Sequence, residues 1–165
     1  MRACSALPKI IWVPLASAVT LGVPGVLALL THQLFLFPSL GPTAMMMMNH
    51  PELPSARPYN AVVGHLLGLG TGFACVFALG LASTPSIFAV HAVAAPRVAA
   101  AVLAVTLASA LELLLRAQHP PGAATTLLAA LGSFRPTWHD AGAVLAGVLV
   151  LVGVAELLKR LRKAA

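Results

Sequence analysis

The chain alternates long apolar runs with short polar breaks, and four of the runs are long enough to cross a membrane. They cover residues 10–30, 61–81, 98–115 and 141–158. The first two contain 21 residues each without a charge, which as helices measure about 31 Å, close to the thickness of the hydrocarbon core of a bilayer. The third carries Glu112 and the fourth carries Glu156, each near one end. The pattern therefore predicts four transmembrane helices.

The first run has a second interpretation as a secretory signal peptide. The apolar region of such a peptide is about 7–15 residues long and is followed by a small-residue cleavage site. Residues 10–30 exceed that length, which favours a retained helix. Residues 83–97 contain Pro85 and Pro96 and are predicted to form a loop.

Two shorter apolar stretches, residues 33–49 and 118–134, are each broken near the start by Pro and Gly. The first contains Pro38-Ser39-Leu40-Gly41-Pro42-Thr43-Ala44, and the second contains Pro120-Pro121-Gly122-Ala123-Ala124-Thr125-Thr126. An Arg-Pro pair follows each one, Arg57-Pro58 after the first and Arg135-Pro136 after the second. The chain therefore divides into two related halves, about residues 10–82 and 98–158, each with a long helix, a short broken helix, an Arg-Pro turn and a long helix.

Composition supports a membrane location. Apolar residues make up 59% of the chain and charged residues 8%, against about 25% charged in soluble domains. We expect an all-α membrane protein with four long transmembrane helices and two short Gly/Pro-broken helices, forming one integral membrane domain over residues 1–165. Residues 159–165 are expected to be a basic cytoplasmic tail. Cys4 and Cys75 do not suggest a disulfide framework, and Cys75 is expected to be a small buried side chain.

The positive charge is explained by membrane orientation. The net charge is +6, but the bases flank the apolar runs without interleaved aromatic residues, which argues against nucleic-acid binding. If the short stretches re-enter the membrane, seven bases share the side of the termini (Arg2, Lys9, Arg97, Lys159, Arg160, Arg162, Lys163) and three lie opposite (Arg57, Arg116, Arg135). If both stretches cross, eight bases (Arg2, Lys9, Arg57, Arg116, Lys159, Arg160, Arg162, Lys163) oppose two (Arg97, Arg135). Length alone favours re-entry. Either count predicts both termini in the cytoplasm, in a bacterial inner (plasma) membrane.

Paired Gly/Pro-broken segments at matching places in two halves indicate the binding site of a transporter. Such backbone is tolerated at membrane depth only where it lines a cavity or is buried in protein. The alternative is that both stretches are amphipathic connectors lying at the interface. Neither has the basic face typical of interfacial helices, so we favour a site, with Gly41 and Gly122 at similar depth and near each other.

The same stretches carry a resemblance to a known family. The run Gln118-His119-Pro120-Pro121-Gly122 contains the His-Pro-Pro signature, and Phe37-Pro38-Ser39-Leu40-Gly41-Pro42-Thr43-Ala44 and Ala56-Arg57-Pro58-Tyr59-Asn60, with Gly64-His65, precede it in order. Over roughly residues 8–158 the chain resembles the HPP family of small integral membrane proteins. Some members are implicated in nitrite transport, so the resemblance implies a small inorganic anion as substrate.

Several residues are candidates for an anion site. Arg57 and Arg135, with helix N-termini, suit a planar oxyanion, although snorkelling to the interface is the alternative. Thr43, Thr125 and Thr126 are hydrogen-bond donors to an anion or bond back to their own helices. His65 and His119 are ionisable groups at membrane depth, which are functional by default. A bond to a nearby carbonyl is the alternative for His65, and helix capping is the alternative for His119.

Other chemistry is less well supported by the sequence. Glu112 is expected to pair with Arg116. Met45–Met48 point in different directions on a helix, and His50, His65 and His119 lack a recognised ligand spacing, so no metal site is predicted. No catalytic motif is visible, so neither an enzyme nor a cofactor is expected.

We therefore expect a transporter or channel for a small inorganic anion, with nitrite as the candidate, working within the lipid bilayer. The alternative is a non-transporting membrane subunit that docks a partner protein. A polar cavity reaching both Gly-containing motifs favours transport, whereas a packed interior with an apolar lateral groove favours docking. The sequence leaves open whether the chain forms a homo-oligomer.

Overall fold

The computed structural model describes residues 7–164, and within that range the chain is helical with no strand. Arg2 and Cys4 lie outside the described residues. The α-helices are α1 (Lys9–Thr31), α2 (Leu40–Asn49), α3 (Pro58–Ala78), α4 (Ile87–Val90), α5 (Ala95–Leu114), α6 (Pro120–Ala130) and α7 (Trp138–Ala164). A 3₁₀ turn, Pro54–Ala56, precedes α3.

The predicted fold class is confirmed. Helices α1, α3, α5 and α7 are long and apolar enough to span a membrane, and they occupy the four predicted runs. The two short helices, α2 and α6, lie within the two Pro/Gly-broken stretches.

Residues 83–97 are not wholly a loop, which corrects the prediction. They include the single helical turn of α4, and α5 begins at Ala95. Pro96 occupies the first turn of α5, where its missing N–H is not needed. A proline that marked a loop in the sequence therefore begins a helix.

The basic end of the chain is also helical. Helix α7 continues through the bases to Ala164, so residues 159–164 extend the last helix instead of forming a separate tail. Lysine and arginine are good helix formers and are favourable in a last helical turn. The Arg162 guanidinium lies 5.2 Å from the centre of the Trp12 ring, which places the ends of α7 and α1 together.

The short helix α2 crosses the bundle, whereas chain length alone had favoured re-entry. The Lys9 ammonium at the start of α1 donates to the carbonyl of Asn49 at the end of α2, at 3.1 Å. The chain therefore returns to the end of the bundle from which α1 started. The crossing uses more than α2, because residues 32–39 are not helical and cover more distance per residue than a helix.

Helix α6 crosses as well, in the direction of α3. Gly64, Gly68 and Gly72 of α3 face His119, Gly122 and Ala129 of α6 in the same order. Helix α5 runs the other way, because Arg97 at its start bonds Ala130 at the end of α6 and Glu112 near its end bonds His119. The described ends of the chain thus share one end of a bundle with six crossing segments.

Close contact between α3 and α6 depends on glycine. A Cβ at Gly64 would lie 2.5 Å from the Cβ of His119, and a Cβ at Gly68 would lie 2.5 Å from the carbonyl oxygen of Gly122. Real Cβ atoms do not approach so closely, so the helices touch backbone to backbone, as small-residue motifs in membranes allow. Gly70, by contrast, has open space around it.

The apolar core lies between α2, α3, α6 and α7. Met47 and Met48 are buried in it, whereas Met45 is 62% exposed. The four consecutive methionines therefore point in different directions, as expected from helix geometry. Cys75 is buried and free, as predicted.

Candidate functional site

Five polar side chains form a buried cluster where α2, α3 and α6 meet. They are Ser39, Thr43, His65, His119 and Thr125, and each is 0% exposed. Ser39 precedes α2 and Thr43 lies one turn inside it. His65 comes from α3, His119 directly precedes α6, and Thr125 lies within α6. Both Pro/Gly-broken stretches thus deliver their polar residues to the same place.

Hydrogen bonds connect the five side chains in a continuous chain. Ser39 Oγ lies 2.7 Å from Thr125 Oγ1, which lies 2.6 Å from His65 Nδ1. The other nitrogen of His65, Nε2, is 2.9 Å from Thr43 Oγ1, which is 3.2 Å from His119 Nε2. The two imidazoles are therefore joined through one threonine hydroxyl.

The pairing across α2 and α6 also gives the direction of these helices. Ser39 contacts Thr125 and Thr43 contacts His119, so residue numbers rise along α2 while they fall along α6. The two short helices run in opposite directions. His65 lies between Thr43 of one and Thr125 of the other, and it bonds to their two hydroxyls and not to a nearby carbonyl, which was the alternative for this residue.

His119 is held by its ring and by its backbone. Its Nδ1–H donates to the carbonyl of Ser55 at 2.7 Å, and its backbone N–H donates to the Glu112 carboxylate at 3.2 Å. His119 occupies the capping position of α6 with Pro120 first in the helix, but its side chain makes no capping bond. The backbone of His119 therefore occupies the capping position of α6, whereas its imidazole takes no part in capping.

The structure bears on two expectations for residues next to the cluster, the pairing of Glu112 with Arg116 and the bonding of the Thr126 hydroxyl. Glu112 does not pair with Arg116 among the described residues; its carboxylate accepts the His119 N–H instead. Arg116 has a left-handed backbone with φ of 52° after the end of α5, so the helical spacing assumed for the pair is lost. The Thr126 hydroxyl donates to the carbonyl of Gly122 in its own helix.

The two candidate glycines differ in their surroundings. A Cβ at Gly122 would lie 2.7 Å from the carbonyl oxygen of Gly64, whereas one at Gly41 would meet nothing within 4 Å. Gly122 therefore permits the approach of α6 to α3. Nothing in the packing around Gly41 requires a glycine.

Arg57 and Arg135 lie at opposite ends of the bundle, so they do not form one site. Arg57 lines a cavity of about 500 Å³ at the end of the termini. Its other basic lining residues in the described part of the chain are Lys9, Lys159, Arg160, Arg162 and Lys163, and the one acidic lining residue there is Glu156, which pairs with Lys159. Arg135 lines a cavity of about 520 Å³ at the other end.

The cavity at Arg135 contains a residue that the sequence did not single out. Arg97 is 4% exposed and lines this cavity with Thr84, Ser86, Ser133 and Thr137, among which there is no acid. Its guanidinium donates to the carbonyls of Leu81, Thr84, Pro85 and Ala130 and to the Thr84 hydroxyl. Within residues 7–164 its buried Nε–H has no hydrogen-bond partner. The only sequence signal was an arginine directly after a helix-starting proline.

Phe37 and Phe134 lie between the polar cluster and the cavity at Arg135. Phe37 packs edge-on against His65 with ring centres 6.2 Å apart and against Phe134 at 5.4 Å, and Phe134 lines that cavity. At the other end, the buried Met48 lines the cavity at Arg57. Because all five side chains of the cluster are 0% exposed, the cluster is occluded in this conformation.

Features expected of a transporter and features expected of a docking subunit are both present. The polar residues of both broken stretches do converge, but on a packed cluster and not on an open cavity. An apolar groove of about 420 Å³ also lies between α3 and α7, lined by Leu66, Leu69, Gly70, Phe73, Ala74, Phe77, Pro136, Thr137, Trp138, Ala141 and Leu145. Within residues 7–164 no three His, Cys, Asp or Glu side chains are placed to hold a metal ion.

Comparison with known proteins supports the family resemblance. Neither a curated protein nor a solved structure matches the chain. The model of the HPP transmembrane region matches residues 3–165, which is nearly the whole chain. This integral membrane protein therefore belongs to the HPP transmembrane family.

Proposed function

We propose that this protein is a transporter for a small inorganic anion, with nitrite as the candidate substrate, and not an enzyme. The observation that carries the proposal is the position of the buried Ser/Thr/His cluster between two base-lined cavities at opposite ends of the bundle. A cavity lined by one sign of charge concentrates ions of the opposite sign. Uncharged hydroxyl and imidazole groups between the cavities are suited to bind a small anion without holding it too tightly.

Arg97 strengthens the case at the end away from the termini. Guanidinium groups in protein interiors are normally paired with carboxylates, yet Arg97 is bonded only to carbonyls and a hydroxyl. Its positive charge is therefore not neutralised by any acid lining the cavity. Together with Arg135 it makes this cavity attractive to an anion.

The occluded cluster corresponds to one state of an alternating-access cycle. The corresponding helices α1, α2, α3 and α5, α6, α7 run in opposite directions, as an inverted repeat requires, and we include such a repeat in the proposal. Movement of one half against the other would open the cluster past Phe37 and Phe134 on one side or past Met48 on the other. The basic end would face the cytoplasm of a bacterial cell.

The test is nitrite uptake, with counterflow of labelled nitrite, by proteoliposomes carrying the purified protein. Arg57→Gln and Arg135→Gln are each expected to lower initial uptake about tenfold, and the Lys variants to recover only part of it, because lysine restores charge without the bidentate fork. Arg116→Gln is the matched control, because Arg116 is exposed and lines neither cavity. Protein-free vesicles correct for leakage.

Two results would remove the proposal. Full uptake by both Gln variants would mean that these arginines only anchor helix ends at the interface. Absence of counterflow by the wild-type protein would favour the second candidate, a membrane subunit that docks a partner. The packed interior and the apolar groove between α3 and α7 are the observations that favour this alternative.

A further inference from the structure

The buried cluster has the connectivity of a proton relay. Its direction can be worked out from the one end that is chemically unambiguous. The Ser55 carbonyl only accepts, so the hydrogen of the 2.7 Å bond belongs to His119 Nδ1. In neutral His119 the other nitrogen, Nε2, is then an acceptor, and the Thr43 hydroxyl is the group placed to donate to it.

Every later bond follows from this assignment. Thr43 has one hydrogen, so while it donates to His119 its oxygen accepts from His65 Nε2–H. His65 Nδ1 then accepts from the Thr125 hydroxyl, whose oxygen accepts from the Ser39 hydroxyl. All donors from Ser39 to His119 therefore point the same way, and no bond in the chain lacks a hydrogen.

One member of the chain has an alternative partner. The Thr43 hydroxyl also lies 2.9 Å from the carbonyl of Ser39. When its hydrogen points there, His119 Nε2 has no donor and the chain is interrupted. Rotation of a single hydroxyl thus connects or disconnects the two imidazoles.

We propose that Ser39, Thr125, His65, Thr43 and His119 form a proton relay that couples proton movement to anion transport. A proton reaching the Ser39 oxygen moves the Ser39 hydrogen to Thr125 and the Thr125 hydrogen to His65 Nδ1. The Nε2 hydrogen of His65 then passes to Thr43, and that of Thr43 passes to His119 Nε2. The imidazolium of His119 finally releases its Nδ1 proton to water at Ser55, so one proton enters, one leaves and no group changes its net charge. Both imidazoles are then in the opposite tautomer, and the return of the imidazoles and hydroxyls to their first arrangement completes the cycle.

The charged groups around the relay are consistent with this role. The Glu112 carboxylate of α5 accepts the backbone N–H of His119, so an acidic group lies beside the relay. The two imidazoles lie with ring centres 5.1 Å apart, so both are not expected to be cationic together. Among the side chains that the hydrogen bonds bring to the cluster, α2 and the turn Pro54–Ala56 contribute no ionisable group. The relay as such stands on the hydrogen bonds, whereas its coupling to an anion rests on the proposed function.

The first test reads the relay without any transport. In protein labelled with ¹⁵N-histidine and reconstituted in nanodiscs, nuclear magnetic resonance at neutral pH is expected to find His119 protonated on Nδ1 and His65 on Nε2. At neutral pH each bond of the relay then has its hydrogen, because Thr43 accepts from His65 Nε2–H and donates to His119 Nε2. Finding both imidazoles protonated on Nδ1 would overturn the relay, because the single hydroxyl hydrogen of Thr43 cannot serve two acceptor nitrogens.

The second test measures coupling in proteoliposomes at neutral pH, where nitrite is ionised. An inward proton gradient is expected to drive nitrite uptake and to acidify the lumen, reported by a trapped pH dye. Thr125→Val removes one hydroxyl at nearly constant volume and should lower gradient-driven uptake at least about tenfold, because a positioned proton-transfer group contributes on the order of 10²-fold or more. Thr125→Ser retains the hydroxyl and should restore most of the uptake.

A matched control separates loss of the relay from loss of a buried threonine. Thr20 is also 0% exposed, but its hydroxyl bonds only Ala16 of its own helix, so Thr20→Val should keep gradient-driven uptake. Thr125→Val uptake that still follows the proton gradient would overturn the coupling. If wild-type protein moves no nitrite, the proposed function and its coupling both fail, while the tautomer measurement still decides the relay.

Discussion

Arg97 is a buried cation whose charge is balanced by dipoles instead of an acid. It gathers the carbonyls of two chain segments, Leu81–Pro85 after α3 and Ala130 at the end of α6. Hydrogen bonds to a charged donor are stronger than those between neutral groups. One side chain therefore connects the end of α6 to the chain segment that follows α3.

Replacing Arg97 is expected to destabilise the protein as well as to affect transport. Arg97→Gln leaves several buried carbonyls without a donor, which should lower the free energy of unfolding by about 3 kcal/mol. Thermal unfolding in detergent, followed by loss of monodisperse elution, measures the change. Arg135→Gln is the control, because Arg135 is exposed in the same cavity and should unfold near the wild-type temperature; an unchanged Arg97→Gln protein would contradict the structural role.

At the residue scale the sequence predicted part of the cluster and none of the Arg97 site. His65, His119, Thr43 and Thr125 were visible because ionisable or polar residues are rare in apolar runs. Ser39 belongs to the Pro38–Ala44 motif, but the sequence indicates no role for its side chain. Arg97 resembled the other flanking bases, since a sequence does not show which carbonyls will surround a side chain.

At the scale of elements, the contact between α3 and α6 holds the candidate site together. It supplies His65 from one helix and His119 with Thr125 from the other, at a distance set by bare backbone at Gly64, Gly68 and Gly72. Such contacts tolerate no added atoms where a carbonyl is the neighbour. The geometry of the cluster depends on these glycines even though they do not belong to it.

Adding one methyl group on each face of α3 tests this dependence. Gly68→Ala places a Cβ against the Gly122 carbonyl and should lower the free energy of unfolding by about 1–3 kcal/mol. Gly70→Ala adds the same atom in open space and should be neutral or slightly stabilising, because alanine favours helix. Equal melting temperatures for the two variants in detergent would show that α3 and α6 are not packed in this way.

The existence of six of the seven described α-helices followed from the sequence, but α4 and the helix limits did not. Long apolar runs without charge predicted α1, α3, α5 and α7, and the Pro/Gly breaks predicted α2 and α6. Pro96 alone does not distinguish a loop from a helix start, because proline can either end a helix or begin one. The basic residues after Leu158 have the charge expected of a tail, but they also have a high helix propensity, and α7 continues through them.

At the scale of the whole molecule, six segments cross and both described ends of the chain meet. Among the described residues, seven bases share the side of the termini and two, Arg97 and Arg135, lie opposite. This asymmetry is stronger than the six-to-three count that re-entrant segments would give for the same residues. The positive-inside rule therefore predicts cytoplasmic termini.

Topology is testable by labelling from one side of the membrane. Single cysteines in place of Glu52 and Thr137, in a Cys4→Ser, Cys75→Ser background, lie in connections at opposite ends of the bundle. In intact cells an impermeant thiol reagent is expected to label the cysteine at Thr137 and to label the one at Glu52 only after lysis. Re-entrant short segments would put both connections outside and make both cysteines reactive in intact cells.

The amino-acid sequence alone determined that this protein is embedded in a membrane and how many long helices it has, because both properties depend on local hydrophobicity. It also determined where the two short apolar stretches are interrupted, because that depends on Pro and Gly. The tertiary structure decided that the short helices cross in opposite directions, that two threonines flank His65, and that Arg57 and Arg135 lie at different ends. These outcomes depend on which backbones can touch, and therefore on contacts between residues distant in the chain. No local pattern contains that information.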